Sequence, residues 1–339
     1  MKVPSHKAII NRYLNWDLVE ERLNRYKNIN KYFPLDELKS CSGTSPYYCH
    51  YLGWRLGTWE DEHLFEFFDS LLFDAEQLPN WSTDRINKGC EFENFWSLIW
   101  ELQVAKFFDV HSKGKAEWTK SGPDLIVDLK ENTFFVECTV YRKSFGLEEF
   151  ISELIKHIHP WLKVAHRPFN IFSLPKDNLI DSFLDELLEP LLNYTYLQEK
   201  LIESQNASPI AFSILKEIEN IYIFIENPDR RKYNVDQPWM GTGSPEGYLT
   251  VAVKEALNNK RESNELKLHR PNLLAVNFLL GIDYQLGKAL RNIPPPELGE
   301  EFDAVFLTKC GIDEIPSLDK RDVYFDNDND HPIKGFLNQ

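Results

Sequence analysis

Gly122-Pro-Asp-Leu-Ile-Val-Asp-Leu-Lys-Glu-Asn-Thr-Phe-Phe-Val-Glu-Cys-Thr-Val-Tyr-Arg-Lys143 carries two strand-like runs, each with an acid that an ordinary core strand would not choose. Leu125 to Leu129 alternates around Asp124 and Asp128, and Thr133 to Tyr141 is rich in β-branched and aromatic residues, so both read as strands. The connector around Lys130 to Asn132 makes them a hairpin. Alternation puts Glu137, Thr139 and Tyr141 on one face and Phe134, Val136, Cys138 and Val140 on the other, which is the core face. A two-residue loop at Lys130-Glu131 pairs Asp124 with Glu137, and one at Glu131-Asn132 pairs Asp124 with Thr139. Either register keeps Asp124 and Glu137 on one face within reach of a shared cation, whereas a three-residue loop separates them.

Upstream, Phe92 to Phe108 reads as a helix that is apolar on most sides through Phe92, Phe95, Trp96, Ile99, Trp100, Leu102, Phe107 and Phe108. Asn94, Ser97 and Glu101 form its polar stripe at spacings of three and four. Such a stripe either meets water or looks into a site. An otherwise buried helix with one central acid favours the site.

Together these residues resemble the signature of the PD-(D/E)XK nuclease superfamily, Pro-Asp before one strand and Asp/Glu-x-Lys on the next. Here the matching residues are Pro123, Asp124 and Glu137-Cys138-Thr139, and the resemblance covers roughly residues 88 to 175. It implies an α/β fold, a restriction-endonuclease-like mixed sheet flanked by helices. It also implies Mg²⁺ or Mn²⁺ held by Asp124 and Glu137, with Glu101 as a third acid from the helix, and hydrolysis of phosphodiester bonds in nucleic acid, DNA foremost.

One residue departs from the pattern. Thr139 stands where the signature has lysine, and a hydroxyl cannot supply the positive charge that stabilises the transition state. Lys143 shares its strand parity but lies four residues on, about 13 Å away. A lysine of the following helix, Lys156, is the candidate replacement; alternatively, Thr139 orients the water by hydrogen bonding. The expected activity is that of a Mg-dependent endonuclease or phosphodiesterase. The alternative is a catalytically impaired nuclease-fold module that binds nucleic acid or a protein partner. A purely structural reading has Asp124 capping a turn and Glu137 pairing with Arg142 or Lys143.

The net charge of −15 opposes a nucleic-acid partner, whose affinity comes largely from neutralised phosphates. Its distribution is uneven. Glu297 to Asp330 holds eleven acids against three bases, whereas Tyr141 to Lys176 holds six bases, Lys156 and Lys163 among them, against three acids. Five cysteines at scattered spacings, with no Cys-x-x-Cys pair, argue against a disulfide framework and a structural zinc site. No run of 18 apolar residues occurs and the first 16 residues lack a signal-peptide core, so the expectation is a cytoplasmic protein without a membrane partner. A homodimer is left open.

With 339 residues and 42% apolar composition, the chain has enough material for one large elaborated domain or two average ones. Residues 1 to 87 read as a mostly helical N-terminal segment, with helices over Ile9 to Tyr26 and Asp61 to Leu78 and a turn-rich stretch from Phe33 to Tyr47. Residues 88 to 339 read as the nuclease-like domain with an extended C-terminal α/β elaboration. Its expected elements are a helix over Leu147 to Ala165, a strand over Phe169 to Leu174 and a helical insertion around residues 177 to 205. Further strands are expected over Ile221 to Ile225, Asn272 to Leu280 and Asp303 to Leu307. Glu226 to Gly247 is aperiodic, as functional or disordered loops are, and Tyr248 to Asn264 reads as a helix whose Lys254, Lys260 and Arg261 extend a basic surface.

Overall fold

The computed structural model describes residues 8–9, 14–42, 48–57, 61–90, 94–113, 115–129, 132–142, 163–166, 210–214, 221–226, 245–262, 272–279, 292–310 and 323–326. In chain order the helices are α1 (Trp16–Leu23), α2 (Lys27–Tyr32), α3 (Leu35–Ser42), α4 (Tyr51–Gly57), α5 (Glu62–Glu76), α6 (Thr83–Cys90), α7 (Phe95–Ser112) and α8 (Pro245–Glu262). The strands are β1 (Ala8–Ile9), β2 (Tyr48–Cys49), β3 (Ala116–Trp118), β4 (Leu125–Leu129), β5 (Asn132–Arg142), β6 (Lys163–His166), β7 (Ile210–Ile214), β8 (Ile221–Glu226), β9 (Asn272–Leu279), β10 (Ala304–Cys310) and β11 (Val323–Asp326). Expectations for Phe169 to Leu174, for residues 177 to 205 and for nearly all of Glu226 to Gly247 lie outside the described residues, as does Lys156.

Contacts divide the chain into two compact units. One comprises residues 1–12, 43–48 and 144–239, and in it β6 and β7 both pair antiparallel with β8. The other comprises residues 13–42, 49–143 and 240–339 and holds the six-stranded sheet β11-β10-β9-β5-β4-β3. A boundary at residue 87 therefore does not separate compact units, because helices α1 to α6 belong with the sheet.

The hairpin decides the sheet. β4 and β5 pair antiparallel with Leu125 opposite Val136 and Leu129 opposite Asn132, the register of a two-residue loop at Lys130-Glu131. β5 then runs parallel to β9, and β9 to β10, while β3 and β11 close the edges antiparallel. Parallel neighbours need a crossover, and α8 lies between β5 and β9 in sequence. The inner strands are apolar on both faces, as strands covered twice must be: Leu273, Leu274, Ala275 and Val276 are all fully buried.

Opposite faces are covered by α7 and α8. Leu249, Ala252, Val253 and Leu257 of α8 share a core with Leu274, Val276, Phe278, Val305 and Leu307, with Tyr141 packed against it. Leu274, Val276 and Phe278 are the register partners of Glu137, Thr139 and Tyr141, so α8 covers the face that carries Glu137. On the other face Trp100 Nε1 of α7 donates to the carbonyl of Ala275, the partner of Cys138, and the ring of Phe108 meets Phe306 edge-on. The unit is a mixed α/β layer structure, and Glu137 lies between sheet and helix rather than in water.

Several helix boundaries differ from expectation for local reasons. The helix expected from Ile9 begins at Trp16, because the Asn15 side chain accepts from the backbone N–H of Asp17 and Leu18 and fixes the start; Ala8–Ile9 is strand. Within the turn-rich Phe33 to Tyr47 lies α3, which follows Pro34 and has Asp36 and Glu37 in its first turn. Asp61 caps α5 as expected for a helix starting there. The helix expected to end at Phe108 runs on to Ser112, where Lys113 adopts the left-handed conformation, φ 61°. Lys163–His166, assigned in part to the end of a helix, is strand β6 instead.

Candidate functional site

Asp124 sits at the bend that leads into β4. Gly122, at φ 88°, supplies the left-handed conformation that the bend requires. Thr119 closes the bend by donating its hydroxyl to the Pro123 carbonyl, and its backbone N–H donates to the Asp124 carbonyl at 3.3 Å. Because β4 starts only at Leu125, the N–H of Cys138 on β5 has no β4 strand residue opposite it. The Asp124 carboxylate takes that place and accepts from Cys138 N at 2.8 Å.

This bend is also held from outside the hairpin. Arg85 of α6 donates Nη2 to the carbonyls of Thr119 (2.5 Å) and Asp124 (3.3 Å), and its guanidinium stacks 4.6 Å from the Trp118 ring centroid. The same group lies 3.5 Å from a carboxylate oxygen of Glu101 and 3.9 Å from one of Asp124. Glu101 and Asp124 therefore share one cation. Asn94, Ser97 and Glu101 line a cavity of about 880 Å³ together with Trp81, Lys120 and Asp124, so the polar stripe of α7 faces this cavity.

Glu137 has a different partner. It is 1% exposed, and Lys260 of α8, 18% exposed, reaches its Oε2 at 2.8 Å. Thr139, two residues on, is partly buried on the same face. The buried Cys138 thiol senses the whole constellation: loss of hydration raises its pKa well above the ordinary value, Asp124, Glu101 and Glu137 raise it further, and Lys260 offsets them in part. It stays protonated near neutral pH and is no nucleophile.

The expected acids thus gather around one residue, Cys138, but in two pairings: Asp124 and Glu101 with Arg85, and Glu137 with Lys260. The break in strand parity at the pre-strand bend explains this, since Asp124 reaches across the backbone of β5 instead of lying flat beside Glu137. As a donor set, three carboxylates from a bend, a strand and a helix suit a hard divalent cation such as Mg²⁺. Among the described residues, however, no group of three metal-ligating side chains is close enough to hold an ion as it stands. A cation would have to replace the guanidinium between Asp124 and Glu101.

Neither Arg85 nor Lys260 was singled out for the site from the sequence. Lys260 is 123 positions from Glu137, so no local spacing announces the pair. Arg85 sits in a polar helical stretch that looks like surface. Among the described residues, no helix is long and apolar enough to cross a membrane.

No family model, curated protein or solved structure matches this chain.

Proposed function

We propose that the chain is a metal-dependent phosphodiesterase acting on nucleic acid, with a restriction-endonuclease-like core whose missing strand lysine is replaced by Lys260. The observation that carries this reading is the 2.8 Å ion pair between Lys260 and Glu137 beside the Asp124 bend. It supplies an ammonium next to the acids of the signature, which Thr139 cannot do. Asp124 and Glu101 would hold the cation, Mg²⁺ or Mn²⁺, in place of the guanidinium between them, while Glu137 stays paired with Lys260; when bound, the cation supplies charge neutralisation and a more acidic water. Lys260, held by Glu137, faces the developing negative charge, and Thr139 orients a water by hydrogen bonding. Arg85 neutralises Asp124 and Glu101 until the cation arrives and then has a phosphate as its alternative partner.

A second reading is favoured by the guanidinium seated between Asp124 and Glu101. That arrangement satisfies both acids without any metal, as a nuclease-fold module that binds nucleic acid or protein without cleaving it would require. Calorimetric titration with Mn²⁺ separates the two. The hydrolytic reading expects binding that Asp124→Ala abolishes, and cleavage of DNA or RNA that Lys260→Ala lowers by a hundredfold or more. Absence of both metal binding and cleavage in the wild type would leave the binding module.

A further inference from the structure

The cavity beside Asp124 is walled by the start of α7, by α6 and by the bend before β4, and its volume of about 880 Å³ is in the range that holds one small ligand. We infer that it takes an unpaired nucleotide, with the base against Trp81 and its phosphate toward Lys120 and Arg85. The inference rests on the proposed phosphodiesterase reading and names the substrate form that site accepts. Trp81 is a fixed platform: it is half-buried, the Tyr32 ring meets it edge-on at 6.0 Å between centroids, and its own centroid lies 5.8 Å from that of Trp118. Every base has a π-face for such a platform. The amide of Asn94 and the hydroxyl of Ser97 bring donors and acceptors to the same cavity, which a base edge requires.

Shape and charge both exclude a duplex from this cavity. A paired base is closed above and below by its neighbours and reaches a pocket only by leaving the stack. Duplex affinity also needs many cations against phosphates, whereas the cavity wall has Asp84, Glu101 and Asp124 against Arg85 and Lys120 on a chain of net charge −15. What the wall suits is a neutral base and a single adjoining phosphate. Binding should therefore depend only weakly on salt.

The test uses the full chain in EDTA, so that cleavage does not interfere. Fluorescence anisotropy compares a labelled single-stranded deoxythymidine ten-mer with a fully paired, blunt-ended duplex of the same length closed by G·C pairs at both ends, and competition by thymidine monophosphate tells a free nucleotide from one within a strand. The expected result is at least tenfold preference for the single strand and a salt slope near that of one phosphate. Trp81→Ala should weaken single-strand binding about tenfold and Trp81→Phe restore most of it. Ser121→Trp, at an exposed position on the rim, should block binding without touching the core. Equal or tighter duplex binding, no binding of any probe, or wild-type affinity in a folded Trp81→Ala or Ser121→Trp protein would overturn the inference. Mn²⁺ titration run alongside keeps the two readings apart: metal binding without single-strand preference leaves the hydrolytic reading and removes this one, and the reverse does the opposite.

Discussion

Glu137 is nearly sealed, and its charge is tolerable there because Lys260 meets it at 2.8 Å. A pair of this kind need not stabilise the fold in net terms, since removing both charges from water costs about as much as their attraction returns. Removing one partner is different, because the other is left buried and charged. Lys260→Met should therefore cost about 3 kcal/mol, the low end for a broken buried pair because Lys260 keeps some contact with water. Adding Glu137→Leu should return most of that loss. Urea unfolding of the two single variants and the double variant measures the cycle. A Lys260→Met protein as stable as the wild type would mean that Glu137 draws its support from elsewhere, and the lysine would lose its claim to the site.

At the scale of elements, the hairpin was legible because it is local: strand parity and β-branched content give both strands without reference to the rest of the chain, while only the structure decides between the two possible two-residue loops, in favour of Lys130-Glu131. The polar stripe of α7 was legible for the same reason, since its spacing of three and four is a property of one helix. What completes the site comes from elements distant in sequence. α8 brings Lys260 across a parallel crossover, and α6 brings Arg85 over the bend; neither arrangement leaves a periodic trace. The early boundaries failed where capping decides them, as at Asn15, because apolar periodicity says where a helix packs and not where it begins. Arg85 links three elements at once, through Glu101 of α7, the carbonyls of Thr119 and Asp124, and the ring of Trp118. A lysine keeps the charge but loses the planar fork that reaches both carbonyls and the stack. Arg85→Lys should thus cost about 2 kcal/mol in urea unfolding. If its midpoint matches the wild type, the bend is held by Thr119 and Asp124 alone.

For the molecule as a whole, the unit that carries the site is discontinuous: residues 144–239 belong to the other compact unit, yet all six strands of the large sheet and both of its covering helices come from outside that segment. The two ends of the interruption are tied together in the fold. Tyr141, near the end of β5, donates its hydroxyl to Glu255 of α8 at 3.2 Å. From Glu255 back to Pro245 is ten helical residues, roughly 15 Å. A ten-residue Gly/Ser linker spans roughly 17 Å on average, enough to cover that return. Replacing residues 144–239 with such a linker should therefore leave a protein that unfolds cooperatively and keeps the Glu137–Lys260 pair, which circular dichroism and the Lys260→Met destabilisation in the shortened chain would report. The same variant lacks Lys156 and Lys163. If it still binds Mn²⁺ and cleaves, the cation of the site is Lys260 and not Lys156; if it folds and binds metal but no longer cleaves, the excised segment carries a group that the reaction needs. Loss of the cooperative transition would show that the sheet depends on the other unit for its stability, despite drawing no strand from it.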